Sequence, residues 1–259
     1  MVGIQFDFSG KRVLVTGSTM GIGRGAAEAF HSLGATVAIN GRSAASVSTA
    51  ITELGGGSRL VPAPGDLSSV SEIERVLGKL IAQLGGLDIL VNNAGRGDDC
   101  LIDNVTEEYW EKMLALNLKG AFFTSQACVP ALKQSKGCIV NVASGLGVMG
   151  GPPGSVVYST TKTAMVQMTR MMALDLAEHG VRVNTLVPGW IDTPMIRREN
   201  ESLGNNGLID YINTTTPVGR IGTAAECAGA ILYLAAPFAS FTTGAVLCAD
   251  GGLTAGHYV

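Results

Sequence analysis

The sequence predicts an α/β fold, a doubly wound parallel sheet of about seven strands with helices on both faces. First, short runs rich in β-branched residues alternate with longer segments of helical periodicity. Second, several of these runs are almost entirely apolar, which is typical of strands buried on both faces of a parallel sheet. Third, the 259 residues include 35 glycines and only 15% charged residues. This composition and length indicate one tightly packed domain over residues 1–259.

Seven runs are predicted as strands of this sheet. In chain order they are 11–16, 36–40, 59–63, 88–92, 138–143, 181–187 and 245–249. The run at 59–63 has the weakest pattern. Because no linker-like segment and no internal repeat divides the chain, we expect all seven strands in one sheet.

The predicted helices between the strands have recognisable ends. Ser69-x-x-Glu72 and Thr223-x-x-Glu226 are capping boxes, which begin helices. Three predicted helices end at a glycine, the residue that most readily takes the left-handed conformation of a C-cap. These glycines are Gly34, Gly85 and Gly180. Periodicity and caps therefore agree on where the chain changes from strand to helix.

Charge and cysteine content exclude several classes of function. The net charge of −3 leaves no electrostatic attraction for nucleic acid or an anionic membrane, so a small-molecule partner is expected. Five cysteines without a C-x-x-C pair indicate neither a disulfide framework nor a zinc site, and are expected to be small core residues. Asp7 stands where an export signal would need an apolar run. A cytoplasmic location is the expectation.

Neither a membrane span nor a metal site is expected. The two long uncharged stretches, 137–161 and 227–249, are broken by glycine, proline and hydroxyl residues, so both are interpreted as buried core. The histidines His31, His179 and His257 stand in no metal-ligating pattern.

A glycine motif follows the first predicted strand directly. Gly17, Gly21 and Gly23 form G-x-x-x-G-x-G between this strand and the first helix. Glycines there let the backbone approach a pyrophosphate, whose charge is favoured by free N–H groups and by the helix dipole. The spacing differs from the common G-x-G-x-x-G, and an ordinary tight turn would give a similar pattern. We interpret the motif as a nucleotide-binding loop.

The end of the second predicted strand bears on the choice of nucleotide. An acidic residue normally binds the adenosine ribose 2′-hydroxyl at this place. Here the chain has Asn40-Gly41-Arg42-Ser43, and a guanidinium at Arg42 is suited to pair with a 2′-phosphate. The pattern favours NADP over NAD, although a solvated loop arginine is the alternative. Arg24 is a weaker second candidate for the same role.

Catalytic chemistry is indicated by Tyr158 and Lys162. Their separation of four residues places both side chains on one helix face, and a nearby ammonium lowers a phenol's pKa towards a value useful for proton transfer. Y-x-x-x-K alone is also compatible with a surface pair of little energetic worth. Ser144, at the end of the preceding strand, strengthens the catalytic interpretation because ligands bind at the carboxyl ends of parallel strands.

Together with Asn92-Asn93-Ala94-Gly95 after the fourth predicted strand, these motifs resemble the classical short-chain dehydrogenase/reductase family. The resemblance runs from Lys11 to about Gly252 and includes further family marks in the right order, namely Asp66-Leu67, Asn117, Pro188-Gly189, Thr193 and Asp250-Gly251-Gly252. It implies a Rossmann-type domain, oxidoreduction of carbonyl or CH–OH groups with a nicotinamide cofactor, and a homotetramer.

The resemblance also implies roles for individual residues. Tyr158 would protonate the carbonyl oxygen as hydride arrives from the nicotinamide, and Lys162 would lower the Tyr158 pKa and hold the nicotinamide ribose. Ser144 would hydrogen-bond the substrate oxygen, and Asn117 would position a water that links Lys162 to solvent. Besides Tyr158 and Lys162, cofactor contacts are expected from Gly17, Ser18, Thr19, Gly21, Ile22, Gly23, Asn40, Arg42, Asp66, Leu67, Asn93, Ala94, Gly95, Pro188, Gly189, Ile191 and Thr193.

The sequence thus predicts an NADP(H)-dependent reductase of a ketone, keto acid or ketoacyl thioester, which also catalyses the reverse oxidation. An NAD-linked alcohol or sugar dehydrogenase and a nucleotide-sensing protein without turnover are the alternatives. An extended-branch epimerase or dehydratase needs a different glycine motif and a longer C-terminal domain. The segment 192–219 has no clear periodicity and is interpreted as a substrate lid. Its Arg197 or Arg198 is either a clamp for an anionic substrate or a solvated loop charge.

Overall fold

The structure, a computed structural model, describes residues 5–202 and 207–256. Its strands are β1 (Arg12–Val15), β2 (Thr36–Gly41), β3 (Leu60–Pro64), β4 (Ile89–Asn92), β5 (Cys138–Val142), β6 (Arg182–Pro188) and β7 (Val246–Ala249). They form one parallel sheet in the order β3-β2-β1-β4-β5-β6-β7. The predicted fold class is confirmed, and each predicted strand agrees with the observed one to within one residue at each end.

The strand order creates a crevice at the carboxyl edge of the sheet. From β1 the chain moves to β2 and β3 on one side, whereas β4 lies on the other side of β1. The connections that leave β1 and β4 therefore diverge, and the crevice between them is the place where ligands bind in open α/β sheets.

Helices cover both faces of the sheet. They are α1 (Gly21–Ser32), α2 (Ala44–Glu53), α3 (Val70–Leu84), α4 (Glu107–Leu114), α5 (Ala121–Ser135), α6 (Val156–Leu176), α7 (Pro194–Ser202), α8 (Gly207–Thr215) and α9 (Ala224–Ala235). On one face, α1, α2 and α9 bury their apolar sides against β1, β2 and β5. On the other face, α3, α5 and α6 pack on the alternate residues of β1, β4 and β5. Each central strand is thus buried from both sides, as its apolar sequence predicts.

The two predicted capping boxes differ in the structure. At α9, the Thr223 hydroxyl accepts from the Glu226 N–H and the Glu226 carboxylate accepts from the Thr223 N–H, so the box is complete. At α3, Ser69 accepts from the Glu72 N–H, but the Glu72 carboxylate pairs with Arg75 instead. The prediction of a helix start is correct at both places, although the reciprocal bond at α3 is replaced by an ion pair.

The segment 192–219 is not the patternless loop that its sequence suggested. It contains α7 and α8, whose residues Ile196, Leu208 and Ile212 form a small buried cluster with the partly buried Trp190 and Ile221. The cluster draws on residues before, within and after the two helices, so no single helical window of the sequence carries a strong periodic pattern. The helices are stabilised by tertiary contacts rather than by local pattern.

The cysteines are only in part the core residues that were expected. Cys128, Cys138 and Cys227 are buried, and burial raises the pKa of the Cys128 thiol to about 12. Cys100 is half-buried and Cys248 is exposed on β7, which lies at the edge of the sheet. Edge strands leave alternate side chains open to solvent, which the apolar run at 245–249 did not reveal.

Candidate active site

Segments that follow three different strands meet at the carboxyl edge of the sheet. A Cβ built on Gly17, after β1, would lie only 2.9 Å from the Cα of Ala94, after β4. A Cβ on Gly21 would lie 3.4 Å from the methyl carbon of Thr193, after β6. The sequence motifs that follow β1, β4 and β6 are therefore neighbours in space.

The glycine loop has the backbone that its glycines make possible. Gly17 and Gly21 have φ values of +61° and +58°, in the left-handed region that favours glycine. A Cβ at Gly23 would lie 2.3 Å from Asn93 Nδ2 and 2.6 Å from the Gly17 carbonyl oxygen. The loop is thus packed against the residues after β4 with no room for a side chain at Gly17 or Gly23.

The N-terminus of α1 is suited to an anion. Its N-cap, Met20, makes no side-chain cap, whereas α2, α3, α4 and α9 are each capped by a serine or threonine hydroxyl. The N–H groups of the first turn and the positive end of the helix dipole are therefore directed into the crevice without a side chain to satisfy them. This arrangement fits the pyrophosphate of a dinucleotide.

Two of the predicted cofactor residues, Asn40 and Ser18, stabilise the glycine loop through buried hydrogen bonds. The buried Asn40 accepts from the Gly17 N–H at 3.1 Å and donates to the Ala63 carbonyl oxygen at 2.8 Å. The buried hydroxyl of Ser18 accepts from the Asn40 N–H at 2.9 Å. Both side chains use their hydrogen bonds within the protein, so they fix the shape of the loop.

The two candidate arginines for a 2′-phosphate differ in their surroundings. Arg42 is exposed between the end of β2 and Ser43, the N-cap of α2. Within residues 5–202 and 207–256 its guanidinium has no ion-pair or hydrogen-bond partner. Arg24 forms an ion pair with Glu53. Arg42 is therefore the better placed of the two to bind an added anion.

The residues after β3 and β4 line the other side of the crevice. Asn93 donates through its amide to the carbonyl oxygens of Thr16, at 2.9 Å, and Gly17, at 3.2 Å. The Thr16 hydroxyl accepts from the N–H groups of Asn93 and Ala94, each at 2.9 Å. Thr16 was not predicted as a site residue, although a hydroxyl at the end of β1 is a signal for such a bridge. Asp66 is exposed, and Leu67 beside it is buried.

Tyr158 and Lys162 lie on the first turns of α6, as predicted. Lys162 is buried, and its Nζ donates to the Val142 carbonyl oxygen at 2.9 Å and lies 5.7 Å from the centre of the Tyr158 ring. Burial lowers the pKa of Lys162 to about 8. Burial also raises the pKa of Tyr158, and a side-chain hydrogen bond with Ser144 opposes that rise.

Burial sets the direction of the Tyr158 pKa in this structure, and the expected lowering of that pKa by Lys162 stays a prediction. Desolvation of the phenol outweighs the favourable hydrogen bond, and the lysine ammonium is directed to a backbone carbonyl. The phenol is accordingly protonated at neutral pH, which is the form that a proton donor needs.

Ser144 is held by the turn that follows β5. Its hydroxyl accepts from the Leu146 N–H at 3.2 Å and caps a short 3₁₀ turn over Gly145–Gly147. A Cβ on Gly147 would lie 2.9 Å from the Lys162 carbonyl oxygen, so this turn packs tightly on α6. The close packing brings Ser144, Tyr158 and Lys162 together.

Asn117 lies in a π-helical segment, Ala115–Gly120, between α4 and α5. Its amide accepts from the Arg96 N–H at 2.8 Å and donates to the Arg96 carbonyl oxygen at 2.9 Å and to the Thr161 hydroxyl at 3.2 Å. Asn117 thus joins the loop after β4 to α6. Single π turns often occur at functional sites because they redirect one side chain.

The segment after β6 completes the crevice. Pro188 ends β6, and a Cβ on Gly189 would lie 2.7 Å from the Cα of Asp250. Ile191 is buried and forms an isolated parallel bridge with Gly222. Thr193 lies over Gly21, and Met195 of α7 contacts the loop beside Tyr158. Gly97 and Met195 were not predicted, because their proximity arises only in the folded chain.

Arg197 and Arg198, the two candidates for an anion clamp, both have hydrogen-bond partners in their own segment. Arg197 forms a two-pronged ion pair with Asp192 at 2.7 and 2.8 Å, and Arg198 donates to the Pro194 carbonyl oxygen at 3.1 Å. Arg197 also lines a groove of about 540 Å³ that is bounded by α1, α7 and α9.

Comparison with known proteins decides the family. A family model described as "Enoyl-(Acyl carrier protein) reductase" matches residues 17–254. The chain is 36% identical over 246 residues to the 3-oxoacyl-[acyl-carrier-protein] reductase FabG of Thermotoga maritima, covering 94% of this chain and 98% of that protein. The chain belongs to the short-chain dehydrogenase/reductase family.

Solved structures of this family have the same fold. A short-chain type dehydrogenase/reductase from Mycobacterium marinum has a TM-score of 0.90 and 32% identity, covering 97% of this chain and 98% of that one. A gluconate 5-dehydrogenase from Burkholderia cenocepacia J2315, in complex with NADP and tartrate, has a TM-score of 0.88 and 30% identity, with the same coverage. The protein is therefore an oxidoreductase of CH–OH or keto groups in a family that uses a nicotinamide cofactor.

Two further findings concern membranes and metals. None of the helices within residues 5–202 and 207–256 combines the length and apolar character that a bilayer crossing requires. Those residues also contain no group of three or more His, Cys, Asp or Glu side chains arranged to bind a metal ion. His257 lies outside the described residues.

Proposed function

We propose that the protein is an NADP(H)-dependent carbonyl reductase that also catalyses the reverse alcohol oxidation. The observation that carries this proposal is the arrangement of Tyr158, Ser144 and Lys162. The Tyr158 phenol has a raised pKa and lies one helical turn from the buried Lys162, and the turn that holds Ser144 packs on the same helix. A Cβ built on Gly95, in the loop after β4, would lie 3.5 Å from Lys162 Nζ, so the lysine borders the crevice.

The cofactor would be held by the crevice residues described above. The first turn of α1 would bind the pyrophosphate, and Arg42 would pair with the 2′-phosphate of NADP. The NADP bound to the gluconate 5-dehydrogenase supports this choice. NAD is the alternative, because an exposed arginine does not exclude a ribose without phosphate. A bound nicotinamide supplies or accepts the hydride.

The proton chemistry belongs to the protein. The protonated Tyr158 would donate to the carbonyl oxygen during reduction, while Ser144 holds that oxygen in place. The Lys162 ammonium would stabilise the phenolate that remains. Asn117 holds Arg96 and Thr161 in position, and its role in placing a water next to Lys162 stays a prediction.

The proposal also covers a substrate lid, the assembly of the chain, the kind of substrate and the cellular location. The segment 192–219 would act as a substrate lid, the chain would assemble as a homotetramer, and the protein would act on a small molecule in the cytoplasm. The arrangement of Tyr158, Ser144 and Lys162 serves reduction and oxidation equally. An NAD-linked dehydrogenase that works mainly in the oxidative direction is therefore the second candidate. A nucleotide sensor without turnover has little support because Tyr158 and Lys162 are both present.

Tyr158→Phe tests the proposed proton donor. We expect NADPH to bind the variant with nearly unchanged affinity, measured by fluorescence titration, because the ring and its packing are kept. Turnover of carbonyl substrates should fall by roughly 10²–10⁴-fold, the usual contribution of a positioned acid. Tyr211→Phe, on the exposed side of α8, is the matched control. If Tyr158→Phe keeps more than about a tenth of the wild-type rate, Tyr158 is not the acid.

A further inference from the structure

One edge of the Tyr158 ring is bounded by Gly97 and Met195. A Cβ built on Gly97 would lie 3.4 Å from Tyr158 Cε2 and 3.3 Å from Met195 Sδ. The phenol ring, the backbone of the loop after β4 and a thioether from α7 therefore meet at one point. Met195 is partly exposed, so its flexible side chain forms a wall that a substrate group can press against.

The arginines near this wall have partners. Arg96, which precedes Gly97, pairs with Asp98, with Nε 2.9 Å from Oδ2. Arg197 is paired with Asp192. On a helix, residues two positions apart point to nearly opposite sides, so Met195 faces Tyr158 while Arg197 faces the groove at α1. Arg96 and Arg197 are thus each neutralised by a neighbouring aspartate.

The loop that continues from Gly97 is acidic. Between residues 96 and 108 a single basic residue, Arg96, stands among five acidic ones, Asp98, Asp99, Asp103, Glu107 and Glu108. This loop runs along the residues that precede α6, because the Cys100 N–H donates to the Gly154 carbonyl oxygen at 2.9 Å. A Cβ on Gly154 would lie 3.1 Å from the Cβ of Asp99. This loop, the rim of the site, keeps a net negative charge although Asp98 pairs with Arg96 and Glu108 pairs with Lys112, and a negative charge disfavours an anionic ligand.

We propose that the substrate is an uncharged ketone, or the matching secondary alcohol, whose apolar substituent lies against Met195 and Gly97. This inference rests on the proposed function and narrows it. Keto acids and sugar acids are disfavoured as substrates, and Arg197, which is paired with Asp192, has no part in binding the substrate. Met195 and Gly97 are the residues that set the size of the accepted group.

Charge preference is tested with a matched pair of substrates. Ethyl benzoylformate and benzoylformate carry the same ketone and phenyl group and differ in the negative charge. In the wild-type enzyme, kcat/KM from NADPH oxidation should be at least about tenfold higher for the ester. The difference should shrink as sodium chloride is added, because salt screens the repulsion of the acid by the rim.

The outcomes separate this inference from the proposed function. An equal or higher kcat/KM for benzoylformate overturns the inference and leaves the reductase assignment standing. Failure of both compounds, and of ethyl pyruvate and the matching alcohols with NADP or NAD, counts against the reductase assignment itself.

The preference for the size of the ketone substituent is tested with variants of Gly97 and Met195. Ethyl pyruvate replaces the phenyl group of ethyl benzoylformate with a methyl group. Gly97→Ala should lower the ratio of kcat/KM for the phenyl substrate over the methyl substrate by about tenfold, since the added methyl narrows the gap to Met195. Met195→Ala should raise that ratio, and the double variant should return it towards the wild-type value.

The same experiment includes controls for misfolding of the variants. Gly97 lies outside the left-handed region, so alanine is compatible with its backbone. Glu201→Ala, an exposed change on the same helix as Met195, should leave the ratio unchanged. If Gly97→Ala and Met195→Ala alter both substrates by the same factor while circular dichroism is unchanged, Met195 does not form the substrate wall.

Discussion

Burial governs the protonation of the two central residues. The sequence places a lysine one turn from a tyrosine, and a pair of charges in water would lower the phenol's pKa. In the folded chain both groups lose solvent, so the Tyr158 pKa rises and the Lys162 pKa falls to about 8. The ammonium is retained at neutral pH at a cost in stability, which is a common feature of active sites.

Lys162→Met measures this cost. The Lys162 pKa falls from 10.5 to about 8 on folding, so the unfolded chain holds the proton more tightly between these pH values. Wild-type stability should therefore rise with pH from about 8 to 10.5, and the full penalty, of order 3 kcal/mol, is present below pH 8. Allowing for the lost bond to Val142, we expect the variant to be more stable at pH 7 by roughly 1–3 kcal/mol.

Urea unfolding of both proteins at pH 7 and at pH 9.5 checks this expectation. The advantage of the variant should be smaller at the higher pH. Lys79→Met, at an exposed position of α3, should give no such difference between the two pH values. A variant less stable than wild type at pH 7 would show that the ammonium is stabilised by its surroundings rather than penalised.

At the scale of elements, the carboxyl end of β2 combines two different functions. Asn40 faces inward and holds the glycine loop through Gly17, whereas Arg42 faces solvent before α2. Residues two apart in a strand point to the same face of the sheet, so Arg42 would share the face of Asn40 if β2 continued. Because β2 ends at Gly41, the Arg42 side chain is free to point into solvent.

Variants of the two residues should therefore affect cofactor binding differently. Arg42→Ala should weaken NADPH by roughly 1.5–3 kcal/mol and leave NADH almost unchanged, because only NADPH carries the 2′-phosphate. Asn40→Ala should weaken both cofactors alike and lower stability by about 1–3 kcal/mol, because a buried N–H and a buried carbonyl lose their partner. Isothermal titration calorimetry with both cofactors checks this. Equal losses for Arg42→Ala would refute its role with the phosphate.

The sequence predicted elements better than it predicted contacts between them. The strands were located because buried parallel strands are apolar throughout, and the glycine loop because its spacing is local. The helices α7 and α8 escaped prediction since their small core includes Trp190 and Ile221 from outside both helices. The π turn at Asn117 and the contact of Gly97 with Met195 likewise depend on tertiary packing, which has no signature in a single segment.

At the scale of the whole molecule, the face formed by α4, α5 and α6 exposes large apolar side chains. The exposed fractions are 38% for Trp110, 40% for Phe122, 49% for Met171 and 72% for Leu174. Apolar groups concentrated on neighbouring helices are typical of surfaces that become buried on association. Tyr158 and Lys162 lie on α6, and Asn117 lies in the π-helical segment between α4 and α5, so association through this face would also support the site.

Leu174→Glu tests whether this face builds the proposed homotetramer. Leu174 is the most exposed of the four, and an unpaired carboxylate buried in an apolar interface costs several kcal/mol. We expect sedimentation velocity at micromolar concentration to give a tetramer for the wild type and a smaller species for the variant. Ala82→Glu adds the same charge at an exposed position of α3 and should leave the assembly intact. Because the apolar face would then stay in water, Leu174→Glu should also lower the melting temperature more than Ala82→Glu does. A monomeric wild type would contradict the proposed assembly, whereas a tetrameric Leu174→Glu variant would place the interface on another surface.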